Sequence, residues 1–534
     1  MIFNNILNIS YLWKKVKDEK DDFYFDLIEH YFKYSTKSDE FQIIDNQMMN
    51  DIDFQELFIF IDRTQSKIGQ QYLYNQLLVI PLKLNFDEQE QVIEQATENE
   101  HNLLKIKSLL SKLNKRNAYY ISHLFLDGYI PKPNWFWIIK VLAFAGFATL
   151  IFTFLFNKIF ILLLFIYLIN SIVHFWNKNN IMVYMDSIPQ LPLCCNVAQK
   201  LTEMNFFPEL KSSVLASIAS ISELKYALNF FKPDTGLKSD FGVIVLFFWE
   251  IIKILFLIEP LIVFYVLKKL EYKKRDIQSI FEYIGKIDSA ISIATIRKEV
   301  NYFCKSVITN TSNSLEFKDI YHPLIPDCVP NSLQVKDKSI LLTGSNMSGK
   351  TTFIRTVCLN LLFAQTINTC FARDFKCSQT RLFSAIRISD DLLSDKSYYF
   401  KEVLTLKNMI DESVSDPNNL FLLDEIFKGT NTTERIAAGK AVLSYLAKSD
   451  KNIVFVSTHD IELTDLLNNE YDLYHFTEVI QDNQIHFDYK IKQGNLSTKN
   501  AIRILEINHY PKIIVDEAKD ISNYITKGLQ KNVL

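Results

Sequence analysis

One stretch, residues 341–352, restricts how the chain around it can fold. It reads LLTGSNMSGKTT, which contains the pattern G-x-x-x-x-G-K-T between an apolar run and a helix-like pattern over 352–363. This order of strand, glycine-bounded loop and helix suits phosphate binding, because backbone N–H groups turn inward on an anion and the helix N-terminus points at the same place. The stretch predicts a nucleoside triphosphate site in an α/β layer.

Two side chains of this stretch have distinct expected roles. Lys350 supplies a point charge for the β- and γ-phosphates, and Thr351 supplies a hydroxyl for Mg²⁺. The alternative is a chance glycine-rich loop in front of a helix, which the acidic strand described next makes less favourable. The residues expected to bind the nucleotide are Gly344, Ser345, Asn346, Met347, Ser348, Gly349, Lys350, Thr351 and Thr352.

Two later apolar runs end in side chains that suit phosphoryl transfer. The run 420–423 ends in Asp424 and Glu425. We expect a parallel strand next to that of the phosphate loop, with Asp424 on Mg²⁺, directly or through water, and Glu425 orienting the attacking water. The run 453–456 leads to His459, which we expect to sense the γ-phosphate, although a histidine at a strand end is usually structural. The predicted catalytic residues are therefore Glu425, Lys350 and His459, and the predicted metal ligands are Thr351 and Asp424.

Composition narrows the class of protein. The 58 basic and 61 acidic residues nearly balance, so any DNA contact must come from a local patch. The seven cysteines lack C-x-x-C pairs, which is typical of reduced thiols in a cytoplasmic setting. The first residues do not resemble a cleavable signal peptide. A chain of 534 residues should hold two to four domains.

Two apolar segments, 135–156 and 159–176, follow each other with only Asn157 and Lys158 between them. As helices they would be roughly 33 and 27 Å long, enough to cross a hydrocarbon core of about 30 Å. They predict a transmembrane helical hairpin. Basic flanks would place both ends, the C-terminal domain and both termini on the cytoplasmic side of a multi-pass membrane protein. A pair of wholly buried core helices is the alternative.

A third apolar stretch, 243–266, is interrupted by charges. Glu250, Lys253 and Glu259 recur within it, and Pro260 follows. Charges in a bilayer cost a few kcal/mol each. We expect this stretch to pack against other helices or lie at a membrane surface, and spanning stays open as the second interpretation.

Several of these motifs together resemble the MutS family. The inner Asn-Met of the phosphate loop, the box DEIFKGTNT at 424–432 and the triplet Ser-Thr-His at 457–459 are similar to that family's ATPase motifs. The resemblance covers 50–125 and 265–520, more specifically in the second range. It implies an ABC-type ATPase using ATP and Mg²⁺, with sites shared across a homodimer, in which Ser397 completes the partner subunit's site. The residues before position 50 leave no room for the family's mismatch-reading or connector domains, which we therefore expect to be lacking.

The fold expected from pattern and resemblance is multidomain. It comprises a helical MutS core-like region (1–134), the transmembrane hairpin (135–176), a helical lever and core return (177–300) and a MutS-type α/β P-loop ATPase domain with C-terminal helices (301–534). The polar cluster at 309–314 reads as linker between the last two.

Three functions fit these expectations. The first is a membrane-anchored, dimeric MutS-like ATPase whose nucleotide cycle moves lever helices and which binds DNA. The second is an ABC-like mechanochemical ATPase that acts on an unidentified membrane protein partner without DNA. The third is a nucleotide-controlled scaffold with little turnover, which the intact Asp424–Glu425 pair disfavours.

Overall fold

The computed structural model describes residues 23–37, 40–98, 100–129, 133–180, 182–229, 240–311, 313–345, 347–387, 398–481, 484–495 and 501–531. Asn346 and Ser397, both predicted to bind nucleotide, lie outside these ranges.

The first part of the chain is mainly helical. Ser66 caps one helix by accepting the Gly69 N–H at 2.9 Å. Short strands β1 and β2 pair antiparallel. The elements are α1 Phe25–Tyr34, β1 Glu40–Ile43, α2 Asn46–Asp51, α3 Phe54–Ile61, α4 Lys67–Leu78, β2 Val79–Pro81, α5 Asp87–Thr97, α6 Glu100–Leu110, 3₁₀ turns Ser111–Leu113 and Arg116–Ile121, and α7 His123–Leu126.

The middle of the chain is also helical among its described residues. Its elements are α8 Phe136–Leu155, a 3₁₀ turn Asn157–Ile159, α9 Phe160–Asn180, α10 Met182–Ser187, α11 Gln190–Thr202, α12 Pro208–Ser222, α13 Lys225–Asn229, α14 Asp240–Leu255, α15 Ile258–Glu271 and α16 Lys274–Glu299.

The helices α8 and α9 are long and apolar enough, by length and composition, to cross a membrane. Most of their surface is not covered by the rest of the chain: Phe154 is 85% and Ile161 is 76% exposed. The alternative of two buried core helices is therefore wrong for this chain taken alone. At the open end of the hairpin the rings of Trp135 and Trp176 lie 4.9 Å apart.

The stretch 243–266 is not one continuous helix. Leu257 has a φ of +47° and separates α14 from α15. The side-chain amide of Asn170, on α9, donates to the carbonyl of Leu255 at 2.7 Å, which satisfies one backbone group released by the break. Helix α15 buries Glu259 and Pro260, so the expected packing against other helices holds for this half, whereas α14 leaves large apolar side chains such as Phe247 exposed.

The C-terminal part is α/β. Its strands are β3 Val307–Thr309, β4 Leu315–Ile320, β5 Asn331–Val335, β6 Ser339–Thr343, β7 Asp374–Ser378, β8 Thr380–Ala385, β9 Asn418–Asp424, β10 Asn452–Ser457, β11 Tyr471–His475, β12 Glu478–Gln481, β13 Gln484–Phe487 and β14 Lys492–Gln493. Its helices are α17 Lys350–Thr366, α18 Tyr398–Glu412, α19 Thr432–Leu446, α20 Glu462–Leu467, α21 Ala501–Ile507 and α22 Lys512–Lys531.

The larger sheet has the order β14-β11-β6-β10-β9-β8, and all neighbours are parallel except β14 with β11. The prediction that the acidic strand β9 neighbours the loop strand β6 is wrong, because β10 lies between them. A second sheet has the order β3-β7-β4-β5, and its strand β3 includes Thr309, the first residue of the segment predicted to be a linker.

The long helix α16 packs along α4. Its fully buried Asp288 accepts the backbone N–H groups of Gln65 (2.9 Å) and Ser66 (2.8 Å), and the Ser66 hydroxyl at 2.5 Å. Burial raises the pKa of Asp288 to about 7, against these hydrogen bonds, which favour the charged form. The start of α4 is thus fixed to the middle of α16.

Two aspartates join the helical part to the α/β part. Asp53 accepts Arg355 Nη1, on α17, and Arg387 Nη2, each at 3.1 Å. The buried Asp51 accepts the backbone N–H groups of Ile386 (3.0 Å) and Arg387 (2.7 Å) at the end of β8. The helix that follows the phosphate loop is therefore tied directly to the N-terminal core.

The edge strand β8 is also covered by the helical part. The Gln42 side chain accepts the backbone N–H of Leu382 and donates to the Leu382 carbonyl, both at 2.7 Å. One side-chain amide thus takes the place of a neighbouring strand at this position.

Candidate functional site

The phosphate loop leaves the middle of the larger sheet. Every residue of β6 is buried. Gly344 follows with a φ of +147°, and a Cβ there would lie 2.5 Å from the Phe476 carbonyl oxygen. Gly349, immediately before α17, has a φ of +105°. Both positions require glycine, because an L side chain would be strained at these angles and would clash at the first.

Lys350 lies folded back over the loop. Its ammonium donates to the carbonyls of Gly344 (2.8 Å) and Ser345 (2.9 Å), and the residue is only 5% exposed. Burial lowers the pKa of Lys350, and Glu425 and Asp424 oppose that shift. A buried ammonium held at the loop is suited to an anion that enters there.

Thr351 and Asp424 meet at the carboxyl edge of the sheet. The Thr351 hydroxyl donates to Asp424 Oδ2 at 2.8 Å, and the Ser457 hydroxyl donates to Oδ1. Ser457 is the last residue of β10, so Asp424 reaches Thr351 across the end of the intervening strand. Hydroxyl and carboxylate oxygens are hard ligands of the kind Mg²⁺ prefers, and this donor set fits that ion.

Glu425 follows with a φ of +51°, and its N–H donates to the Ser457 carbonyl at 2.9 Å. Its carboxylate pairs with His459 Nε2 at 2.7 Å and with Lys428 Nζ at 3.0 Å. The hydrogen bond from His459 lowers the pKa of Glu425 to about 2, against the effect of burial, and Lys428 adds to it. The carboxylate is therefore charged at neutral pH and is held by two donors.

A cavity of about 530 Å³ opens beside the loop. Lys350, Thr351 and Glu425 line its polar side. Its other wall carries less polar side chains, among them Ile325 and Tyr489. Small-molecule sites commonly have this size and this mixture of walls.

Two groups at the site have no motif in the sequence. Glu478, 8% exposed, accepts the Ser345 hydroxyl at 2.6 Å. Tyr489 lies on the cavity wall, and the Asn331 side chain donates to its carbonyl at 3.0 Å. Both belong to the segment after β11, where only the alternation of short strands would have suggested proximity to the loop.

The other described residues predicted to bind nucleotide are Ser348, Met347 and Thr352. The Ser348 hydroxyl donates to the Ser345 carbonyl at 2.8 Å. Met347 has a φ of +72° and is 82% exposed. Thr352 lines the cavity in the first turn of α17.

The comparisons with known proteins agree with this site. A profile of the family MutS domain V matches residues 340–526. The DNA mismatch repair protein MutS of Thermodesulfovibrio yellowstonii is 30% identical over 263 residues, which is 46% of this chain and 30% of that protein. Residues 340–526 of this chain are therefore similar to MutS domain V.

Two further MutS relatives show the same coverage. The DNA mismatch repair protein MutS of Listeria monocytogenes is 29% identical over 274 residues, covering 48% of this chain and 31% of that protein. That of Persephonella marina is 28% identical over 261 residues, covering 47% and 30%. The chain thus spans about 30% of the length of these MutS relatives.

Within MutS domain V, the loop after the acidic pair is fixed to α18. The Phe427 N–H donates to the buried Glu402 at 2.5 Å, and a Cβ on Gly429 would lie 3.0 Å from Tyr399 Cβ. The segment 389–402, which resembles the family's signature region, therefore ends in a helix that touches the loop carrying Lys428.

Proposed function

We propose that the chain binds ATP with Mg²⁺ at the phosphate loop and hydrolyses it. The observation that carries this proposal is that Lys350, Thr351 and the charged Glu425 line one cavity, with Asp424 bonded to the Thr351 hydroxyl. Lys350 and Thr351 open α17, whereas Asp424 ends β9 and Glu425 follows it. Each has the chemistry that phosphoryl transfer needs.

Four groups of this chain have separate roles in the proposed hydrolysis. Mg²⁺, when bound, would neutralise phosphate charge, and the Thr351 hydroxyl and the Asp424 carboxylate would hold it. Lys350 binds the terminal phosphates through charge-assisted hydrogen bonds. Glu425 accepts a hydrogen bond from the attacking water, and His459 and Lys428 fix its orientation. His459 senses the γ-phosphate next to Glu425, a role supported by its contact with that carboxylate and its 37% exposed side chain.

We further propose that two copies of the chain form the working unit. The family resemblance assigns Ser397 to the partner subunit's site, and one chain carries one set of motifs. Nucleotide binding would then close the dimer, and hydrolysis would release it. The salt bridge from Arg355 to Asp53 would pass that motion to the core.

DNA is the first candidate for what the motion acts on. The relatives are named for DNA mismatch repair. The basic run at 268–275 is a local patch that could bind DNA phosphates. Two of its lysines already have partners within the chain: Lys273 donates to Ser220 and pairs with Glu223, and Lys274 donates to the Asp127 carbonyl. This engagement favours the second candidate, an ABC-like action on a membrane protein partner without DNA.

A salt series separates the two candidates. If DNA is the target, the affinity of the full-length chain for duplex or branched DNA should fall about tenfold or more between 50 and 200 mM salt, because phosphate contacts release counterions. Fluorescence anisotropy measures the DNA affinity with and without ATP. The variant Lys350→Ala measures the part of the DNA affinity that does not depend on ATP. Absence of salt-sensitive binding in every nucleotide state would favour the membrane partner.

We also propose that α8 and α9 anchor the chain in a membrane. Their exposed apolar side chains are not covered by the described residues, and the bond from Asn170 to the Leu255 carbonyl satisfies a backbone group that hydrocarbon would leave unpaired. The paired Trp135 and Trp176 rings suit an interface at the open end of the hairpin.

Carbonate extraction tests the anchor. The wild-type chain should stay with the membrane pellet. A variant with Phe144→Lys, Ile161→Lys and Phe165→Lys, three exposed hairpin positions, should lose stable insertion, because each buried lysine costs about 3 kcal/mol. Tyr226→Lys, at a residue that is 91% exposed outside the hairpin, is the matched control. Release of the wild-type chain into the carbonate supernatant would contradict the anchor.

A further inference from the structure

Two histidines and an aspartate converge in the N-terminal core, far from the nucleotide site. His30 lies on α1, His123 opens α7 and Asp127 follows α7. One ligand atom from each lies within 4.8 Å of the others. His30 Nε2 is 3.3 Å from Asp127 Oδ1, and His123 Nδ1 is 2.5 Å from Oδ2. We propose that these three side chains bind a divalent transition-metal ion, with zinc as the expected occupant.

The hydrogen bonds around His30 determine which of its two ring nitrogens carries no proton. The Ser122 hydroxyl donates its one proton to the Tyr119 carbonyl at 3.0 Å. Its oxygen must therefore accept from His30 Nδ1, 2.9 Å away, so Nδ1 carries the ring proton. Nε2 then presents a lone pair to a carboxylate oxygen. Two acceptors facing each other at 3.3 Å repel unless a proton or a metal ion lies between them.

The second histidine points to one shared cation. The rings of His30 and His123 are stacked, with centroids 3.5 Å apart and planes at 29°. Two imidazolium rings at this distance would repel each other. A single dication satisfies both nitrogens and the carboxylate at once, and it leaves both rings neutral.

The donor set and its spacing suit zinc. Imidazole nitrogen and carboxylate oxygen are usual zinc ligands, at about 2.0–2.2 Å from the ion. Neighbouring ligands of a tetrahedral ion then lie about 3.3 Å apart, which matches the distance from His30 Nε2 to Asp127 Oδ1. His123 Nδ1 and Asp127 Oδ2 lie closer, at a direct hydrogen-bond distance of 2.5 Å, and would separate when the ion enters. Ser122 acts as a positioning residue, since it orients a ligand histidine through the other ring nitrogen. Three protein ligands leave one position for water.

The site lies at the root of the apolar hairpin. Asp127 precedes α8 by a few residues, and its carbonyl accepts Lys274 Nζ at 2.9 Å from the start of α16. A bound ion would tie α1, α7 and the start of α16 together ahead of the point where the chain enters the hairpin. We therefore assign the ion a stabilising role at this junction.

Metal analysis of the full-length chain, purified in detergent without a histidine tag, tests the site. We expect one equivalent of zinc per chain after dialysis against a weak chelator, and visible absorption bands of a low-symmetry Co²⁺ site after cobalt substitution. Competition with a chromophoric indicator should show zinc affinity reduced about a hundredfold in His30→Gln and Asp127→Asn. Ser122→Ala, which keeps all three ligands, should lose about tenfold.

The controls decide between a site and general histidine binding. His101→Gln changes an exposed histidine in the same part of the chain and should leave zinc affinity unchanged. Circular dichroism and ATP binding check that each variant is folded. A wild-type chain that binds zinc no more tightly than His30→Gln would overturn the proposal, as would equal affinity in Ser122→Ala and Asp127→Asn.

Discussion

Glu425→Gln is expected to lower ATP turnover of the full-length chain at least about a hundredfold, the lower end of what a positioned general base contributes. ATP affinity should change little, because the substitution keeps the size of the side chain and removes only its charge. A site that binds but does not hydrolyse should also hold the ATP-bound dimer, so size-exclusion chromatography with ATP and Mg²⁺ should show a larger dimer fraction.

The reason for the large effect is the state of this carboxylate. Glu425 has a pKa lowered to about 2 by His459 and Lys428, so it is charged at any working pH and can accept a hydrogen bond from water. A glutamine in its place would present an amide of far weaker basicity to the same water. The lowered pKa also means that the pairing contributes stability above the ordinary glutamate range, and that this contribution is lost only as the pH falls toward 2.

Glu462→Gln is the matched control, since Glu462 is an exposed acid at the start of α20. Its turnover should equal that of the wild-type chain. Unchanged turnover in Glu425→Gln would remove Glu425 from the catalytic assignment, while leaving the nucleotide site itself intact.

Lys350→Ala is expected to raise the dissociation constant for ATP about a hundredfold or more. Hydrogen bonds to charged groups contribute about 1.5–3 kcal/mol each, and every 1.4 kcal/mol is a factor of ten. The ammonium is already at the loop, where it donates to the Gly344 and Ser345 carbonyls, so it can move onto phosphate oxygens without a large rearrangement.

Isothermal titration calorimetry with a slowly hydrolysed ATP analogue measures the loss. Lys336→Ala, at an exposed lysine just before β6, is the control and should bind as the wild-type chain does. If Lys350→Ala, checked for folding by circular dichroism, kept the wild-type affinity, the phosphate-loop assignment would fail. Together with Glu425→Gln, the pair separates binding from hydrolysis.

The local parts of the site could be predicted from sequence, because they are contiguous. The loop with its two glycines and the strand ending in Asp424 and Glu425 each signal their structure within about ten residues. The order of the strands could not be predicted in the same way. Apolar runs predict that β9 and β10 are buried parallel strands, but the sequence of neither strand indicates which of them pairs with β6.

Contacts of single residues that are distant in the chain could not be predicted from the sequence either. Glu478 reaches Ser345 across 133 positions, and it belongs to no motif. His30 meets Asp127 only through folding, although the spacing of His123 and Asp127 on one helix face is visible in the sequence. The break at Leu257 lies three residues before Pro260, the one residue that hinted at it. Asn346 and Ser397 keep the roles that the resemblance implies as predictions.

The Gln42 side chain bears on how two copies can meet. It occupies both backbone groups of Leu382 on the outermost strand of the sheet. A second molecule cannot extend this sheet at that position without first breaking two hydrogen bonds within its neighbour. The Gln42 amide therefore disfavours pairing of β8 with a strand of a second copy at Leu382. It also disfavours the repeated edge-to-edge pairing that produces fibrils.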